Sequence, residues 1–381
     1  TRNFKAWYFI EWFMEGSQRA LFSMLFGAGI ILFVSRQEKK TTGLYPADYF
    51  IRRQLWLLVF GLFNAFILLW FWDILFHYAC LGLIAFAFRR LSPKALIIGA
   101  VICLVVQTTR ENVDAYRDRK EIYKGELIAK IDTTVTKLTD EQKEDMGALT
   151  DIKERSTEKA KLKKMEKSLK SMRGSYGSLY EYQSERSLRG EFFYTYFGAG
   201  DILLFMFLGM AFFKSGIIMG QASAKVYWIM FIAGMAIGLT LSYFRLQPLI
   251  DYKFNNYEYT KNNYFEFYEL SRAVRAIGIF GLIMLMYKSG WFKWFFALLR
   301  PVGQMAFTNY LMQSLFVGLF FYGVGFGMFG KLQRFEIYYV VAATWLLQII
   351  WSHIWLRVFR FGPLEWLWRS LTYWKRQPFL K

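Results

Sequence analysis

An acid and an imidazole lie four residues apart inside an apolar stretch, "LLWFWDILFHYACLGL", residues 68–83. If this stretch is helical, Asp73 and His77 share one face, because residues at i and i+4 are neighbours on a helix. A carboxylate beside an imidazole orients the ring and raises its basicity, as a general base requires. We therefore assign Asp73 and His77 as the candidate catalytic residues. The alternative is a polar pair that satisfies a helix end at a membrane interface.

Polar side chains in other apolar runs form a second set of candidates. Ionisable groups at membrane depth are costly, so those that occur are usually paired or functional. Amide groups at that depth either bridge helices or line a polar cavity. The candidate binding residues of this kind are Asp201, Asn309, Gln313 and the i, i+4 pair Glu365 and Arg369. No cluster of His, Cys, Asp or Glu has the spacing of metal ligands, so we expect no metal site.

The composition is that of a membrane protein. Hydrophobic residues make up 55% of the 381 residues and aromatic residues 20%, more than a soluble domain of mixed composition holds. A membrane-spanning helix needs roughly 20 mostly apolar residues. The sequence therefore predicts an all-α, polytopic membrane protein with about nine transmembrane helices. The windows that approach this length are 19–35, 54–72, 75–88, 95–109, 193–213, 226–244, 273–287, 303–326 and 336–356.

A polar insert separates two membrane regions. Residues 110–190 hold many Lys, Arg, Asp and Glu residues but no Phe or Trp. We expect a helical hairpin outside the bilayer there, between membrane regions 1–109 and 191–381, with packing or contact with a protein partner as its role. Its predicted apolar seam has helical spacing and consists of Leu149, Ile152, Leu162, Met165, Leu169 and Met172.

The basic residues predict the orientation. The net charge is +19, and the positive residues outside the insert cluster in short loops that fall on one side if nine helices alternate. By the positive-inside rule that side is the cytoplasm. The rule explains the charge better than nucleic-acid binding, so we expect membrane lipids and no nucleic acid as partners. The turn at Asp73 and the insert are then predicted on the outer face.

Several stretches together resemble one family. They are "EGSQRALFSMLFGAGIIL", "WDILFHYACLGL", "GDILLFMFLGMAFFKSG", "MAFTNYLMQS", "YGVGFGMFG" and "RFGPLEWLWRSLTY". They resemble the YeiB family of bacterial inner-membrane proteins, whose C-terminal half is a domain of unknown function. The resemblance skips the insert and implies a multi-pass protein of the inner (cytoplasmic) membrane. Because family members typically begin with a further helix, we expect one upstream of this chain.

The resemblance also implies a function. The family is similar at the fold level to transmembrane acyltransferases, an argument from analogy. It implies acyl transfer to a glycan or lipid of the cell envelope, with acyl-CoA as a co-substrate and no bound cofactor. The polar family motifs add Arg19 and Tyr310 to the candidate binding residues, together with Asn64, where many members have histidine. The alternatives are a transporter or lipid-moving protein, or a non-catalytic scaffold that binds a partner through the insert.

Overall fold

The computed structural model describes residues 1–132 and 137–381 of the chain. Within these ranges the protein is helical and contains no β-strand, only an isolated antiparallel bridge between Phe359 and Leu380. The predicted all-α class is therefore confirmed.

The helices that precede residue 189 include the first membrane region and the insert. They are α1 (Arg2–Phe13), α2 (Ser17–Glu38), α3 (Tyr45–Phe66), α4 (Ile74–Ala87), α5 (Pro93–Ile128), α6 (Asp140–Ser156), α7 (Glu158–Met172) and α8 (Tyr176–Leu188).

A π-helical turn at Arg189–Phe193 leads into the second membrane region. Its helices are α9 (Tyr194–Phe197), α10 (Ala199–Lys214), α11 (Ala224–Asp251), α12 (Asn256–Asn262), α13 (Tyr268–Ser289), α14 (Lys293–Gln304), α15 (Ala306–Phe321), α16 (Arg334–Val358) and α17 (Pro363–Tyr373).

Five helical stretches of the described ranges are long and apolar enough to cross a membrane. They are Arg2–Glu38, which joins α1 and α2, and helices α5, α11, α13 and α16. The pair Tyr176–Phe197 and Ala199–Lys214, bent by 61°, adds a sixth if it forms one span. Helices α4 and α15 are apolar but shorter. Every predicted window overlaps a helix, whereas the number of nine transmembrane helices stays a prediction.

Helix α10 lies at the centre of the core. Almost every residue from Asp201 to Phe212 is buried, and α2 and α5 pack against this helix. Helices α2 and α10 approach closely because each has a glycine at the crossing, Gly27 and Gly209. A Cβ at either position would overlap a backbone carbonyl of the other helix. Small residues at crossings are typical of helix packing in membranes, so this pair fixes the position of α10.

The insert packs on one end of the membrane helices. Tyr176 donates a hydrogen bond to the Ile67 carbonyl at 3.0 Å, and Arg119 donates to the Asn263 carbonyl at 2.7 Å. Arg173 donates to a carbonyl in the turn after α15 at 2.7 Å. The α3–α4 turn, the α12–α13 connection and the α15–α16 turn therefore lie at the same end as the insert.

The structure differs from the predicted insert in two details. The predicted boundary at residue 110 falls inside α5, which continues without a break from Pro93 to Ile128. In the predicted apolar seam Leu149 and Met172 are buried, whereas Leu162 and Met165 are 47% and 51% exposed. The reason is the extended backbone at the cap between α6 and α7, which changes the helical register, so one stripe cannot continue through both helices.

Candidate functional site

The turn between α3 and α4 presents Asp73. Leu69 and Trp72 have φ angles of 57° and 69°, a conformation that costs energy for residues other than glycine. The surrounding helices hold this turn in place: the Gln183 amide and the Tyr322 hydroxyl each donate to the Leu69 carbonyl at 3.4 Å. The insert and α15 therefore stabilise the backbone that positions Asp73.

Asp73 is fully buried and caps the N-terminus of α4. Its carboxylate accepts hydrogen bonds from the Phe76 N–H at 3.0 Å, from Asn64 Nδ2 at 2.7 Å and from the Tyr310 hydroxyl at 2.9 Å. Asp73 lies outside the candidate spans. Burial raises its pKa to about 6, although these three donors act in the opposite direction. The residue joins α3, α4 and α15 and has no surface open to a substrate.

His77 does not pair with Asp73, so the predicted dyad is wrong in its geometry. As the N-cap residue of α4, Asp73 has an extended backbone, and its carboxylate points towards the N-terminus of that helix. His77 Nδ1 instead lies 2.5 Å from the Thr195 hydroxyl, and its Nε2 lies 3.7 Å from Glu191 Oε2. The carboxylate that faces the imidazole therefore comes from the π-helical turn.

Glu191 is the functional candidate that the sequence analysis missed. It has no exposed surface, and neither carboxylate oxygen makes a hydrogen bond of good geometry with a described residue. A buried carboxylate without donors is costly, and such groups are found at functional sites. The available signal was its position, because Glu191 is the acid directly before the aromatic run "FFYTYF" at the edge of the insert.

An ion-pair network lies beside His77. Asp201 accepts hydrogen bonds from Arg19 at 2.8 Å and from Arg272. Arg272 also donates to Glu269, one turn before it on α13. The Arg272 side chain is 0% exposed, whereas the Arg19 side chain is 34% exposed. The network joins α2, α10 and α13 and brings two predicted residues, Arg19 and Asp201, to the same site as His77.

A polar cavity of about 490 Å³ opens in front of this network. Its lining includes His77, the ion pair Arg19–Asp201, and side chains of α5, α9 and α13. Carboxylates outnumber guanidinium groups in the lining, and four aromatic rings contribute to it. Its charged and aromatic lining residues other than His77 are Arg19, Arg110, Glu111, Asp114, Asp201, Glu269, Trp72, Tyr194, Phe197 and Tyr268.

A second cavity, apolar and about 310 Å³ in volume, lies on the neighbouring face of α4. Leu75 and Tyr78 of α4 line it, together with residues of α2, α3, α15 and α17. Arg53 and Gln54 are its polar contributions from α3, and Arg53 stacks on Trp368 at 3.6 Å. One short helix thus separates a polar cavity from an apolar one.

The predicted residues of α15 have different roles. Tyr310 belongs to the Asp73 cluster described above, as does Asn64. Asn309 is buried and bridges to α16, since its Nδ2 donates to Ser352 Oγ at 3.1 Å. Gln313 is half-buried and does not line the polar cavity. Asn309 therefore bridges two helices. Neither Asn309 nor Gln313 lines the polar cavity, although the sequence suggested a cavity lining as the alternative.

Glu365 and Arg369 are also apart from the polar cavity. Glu365 accepts from the backbone N–H groups of Phe307 and Thr308 at 2.7 and 2.9 Å, so it caps α15. Arg369 stacks over the Phe361 ring at 4.7 Å instead of bonding to Glu365. In the described ranges no group of three or more His, Cys, Asp or Glu could hold a metal ion.

Fold and site together define a multi-pass helical membrane protein with a buried imidazole–carboxylate pair beside a polar cavity. Residues 212–375 match the family model "Protein of unknown function (DUF418)". The chain is 28% identical to the uncharacterized protein YxaH of Bacillus subtilis (strain 168), over all of this chain and 85% of YxaH. It is 36% identical to the uncharacterized protein YeiB of Escherichia coli (strain K12), over 44% of this chain and 43% of YeiB.

The chain is therefore similar to YxaH and YeiB, and its residues 212–375 match the DUF418 family model. No solved structure matches it.

Proposed function

We propose that this protein is an acyltransferase of the bacterial inner membrane, with the polar cavity and the insert on the outer face. It transfers an acyl group from acyl-CoA to a glycan or lipid of the cell envelope. The observation that carries the proposal is the His77 imidazole, which lines a polar cavity and has the buried Glu191 carboxyl beside it. This arrangement has the elements of a general base.

The hydrogen bonds indicate which ring nitrogen is basic. The Thr195 hydroxyl donates its proton to the Glu191 carbonyl, so it accepts from His77, and Nδ1 carries the ring proton. Nε2 then holds a free lone pair, because 3.7 Å from Glu191 Oε2 is too long for a hydrogen bond. An ionised Glu191 stabilises the imidazolium that forms when Nε2 gains a proton, although burial without donors favours the neutral carboxyl group.

The lining of the polar cavity favours a hydroxyl-rich acceptor. Sugar hydroxyls donate to carboxylates, and the aromatic rings offer apolar faces, whereas the excess of carboxylates disfavours an anionic acceptor. In the proposed step the acceptor hydroxyl oxygen attacks the thioester carbonyl carbon while Nε2 takes the hydroxyl proton. The C–S bond then breaks, and the leaving thiolate takes up that proton. The apolar cavity on the neighbouring face of α4 gives room for an acyl chain.

A second candidate function is proton-coupled transport. A buried acid without hydrogen-bond partners beside an imidazole is also the arrangement of a proton relay. Under this alternative His77 and Glu191 exchange a proton as the polar cavity changes access, and no acyl group is transferred.

The test measures the transfer of label from radiolabelled acetyl-CoA and palmitoyl-CoA to extracted envelope glycans and lipids. We expect His77→Gln and Glu191→Gln to lower the rate by about 10²-fold or more, the usual contribution of a general base. Glu185→Gln is the matched control: it makes the same acid-to-amide change on α8, where the Glu185 side chain is 70% exposed.

Thermal unfolding verifies that each variant is folded before its rate is compared. Transfer by a folded His77→Gln variant at the wild-type rate would contradict the assigned base. If the wild-type protein moves no label to any fraction, and protons cross liposomes that contain wild-type protein but not liposomes that contain His77→Gln, transport replaces acyl transfer.

A further inference from the structure

A third cavity lies at the end of the protein opposite the insert. Its volume is about 1130 Å³, and it forms where α13 ends, along α14, and where α16 ends. Five cationic side chains line it, and no Asp or Glu does. They are Lys288, Lys293, Arg300, Arg357 and Lys381.

None of these five cations forms an ion pair with a described residue, and two of them bond to backbone carbonyls. Lys288 donates to two backbone carbonyls at 3.0 and 2.8 Å, and Lys381 donates to the Leu356 carbonyl. Lys293, Arg300 and Arg357 are exposed, and within the described ranges none of the three forms an ion pair. The cavity therefore presents an excess of positive charge.

Three other arginines on the predicted cytoplasmic side have a side-chain partner. Arg52 pairs with Asp48 at 2.6 Å, Arg53 stacks on an indole ring at 3.6 Å, and Arg89 stacks on the Phe86 ring at 3.8 Å. Positive-inside topology alone requires only that cations lie on one side. It does not require that unpaired cations from separate helices converge on one concavity.

The surroundings of the cavity place it at the level of lipid headgroups. Trp291 and Trp294, at the start of α14, are 85% and 67% exposed. Exposed tryptophans of a membrane protein are typical of the headgroup region. Guanidinium groups match phosphate oxygens with two parallel hydrogen bonds, and lysines add point charge. The cavity thus combines phosphate chemistry with a position that both lipids and soluble molecules can reach.

We infer that this cavity binds a phosphate-bearing anion through Lys293, Arg300 and Arg357. The phosphate belongs either to the headgroup of an anionic lipid or to a soluble phosphate ester. The inference goes beyond the proposed function and does not depend on it, because phosphate binding requires neither His77 nor acyl transfer.

The test compares two double variants of the full chain with equal loss of charge. Arg300→Gln/Arg357→Gln removes two cations of the cavity, and Lys39→Gln/Lys40→Gln removes two exposed cations of the α2–α3 loop. None of these four side chains forms an ion pair with a residue that the structure describes, so we expect both variants to unfold near the wild-type temperature without ligand.

One arm titrates inorganic pyrophosphate and follows thermal unfolding at low salt, since a ligand of the native state raises its stability. In the other arm the protein is extracted from nanodiscs of phosphatidylglycerol and phosphatidylcholine. Native mass spectrometry then counts the phosphatidylglycerol molecules that remain bound to it. The cavity variant should need about tenfold more pyrophosphate, or more, for the same shift, as expected for lost charge-assisted hydrogen bonds.

The source of the phosphate is identified by the arm in which Arg300→Gln/Arg357→Gln differs from Lys39→Gln/Lys40→Gln. A difference with pyrophosphate supports a soluble ester, and a loss of bound phosphatidylglycerol supports a lipid headgroup. The inference is overturned if the two double variants behave alike in both arms, whatever the acyl-transfer assay shows.

Discussion

Replacing Arg272 by glutamine should destabilise this protein more than any other single change in its ion-pair network. Arg272 is buried and serves two carboxylates, Asp201 and Glu269. Glutamine keeps much of the side-chain volume but removes the charge, so both acids lose a cation in a low-dielectric environment. Breaking a buried ion pair from one side costs about 3–5 kcal/mol, because a charge stays buried without its partner.

The matched control is Arg19→Gln, which removes the other cation that binds Asp201. The Arg19 side chain is 34% exposed, and ion pairs open to solvent are worth about 0–1 kcal/mol. The two substitutions thus remove the same chemical group from the same carboxylate. The difference expected between them, at least about 2 kcal/mol, comes from burial.

The assay is reversible unfolding by SDS in mixed micelles, which gives the free energy of unfolding of each variant. The double variant Arg272→Gln/Asp201→Asn should lose less stability than the sum of its two single variants, with a coupling of about 1–3 kcal/mol. Equal, small losses for Arg272→Gln and Arg19→Gln, without coupling to Asp201, would refute the reasoning that the network is a buried electrostatic unit.

Three further predictions concern packing, titration and orientation. Gly27→Ala should lower the free energy of unfolding by about 1–3 kcal/mol, because its Cβ would overlap a carbonyl of α10. Gly29→Ala, which has open space around its Cβ, should leave the free energy of unfolding unchanged. Chemical unfolding of both variants checks this. Because burial raises the pKa of Asp73 to about 6 from the usual 3.8, the folded state holds a proton that the unfolded state loses, so stability should fall between about pH 4 and pH 6. Unfolding temperatures measured from about pH 4 to 7 should fall less steeply for Asp73→Asn than for the wild type, because only the contribution of Asp73 is removed. If the insert is on the outer face, Lys163→Cys should react with a membrane-impermeant maleimide in intact cells, and Lys39→Cys only after permeabilisation; the reverse pattern would invert the orientation.

Local patterns predicted the helices well. Hydropathy is a property of contiguous residues, and a chain in lipid must satisfy its backbone hydrogen bonds within each segment, so each apolar window overlaps a helix. The sequence also singled out polar groups in or next to those windows. Of these, His77, Arg19 and Asp201 line the polar cavity, and Asp73 lies in the turn beside it. The error at Asp73 had a local cause, because a capping residue does not continue the helical face that the i, i+4 rule assumes.

The pairings within the site were decided by the tertiary structure. His77 meets Glu191 because the π-helical turn lies beside α4, and Arg272 meets Asp201 because α13 packs against α2 and α5, the two helices that flank α10. Nothing in the residues near His77 or Arg272 specifies these neighbours, since a partner's identity depends on which helices lie side by side. The same holds for the basic cavity, where Arg300 and Arg357 come from helices that are separated in the chain. Sequence determined which segments are helices and which carry charge; helix packing determined which charges meet.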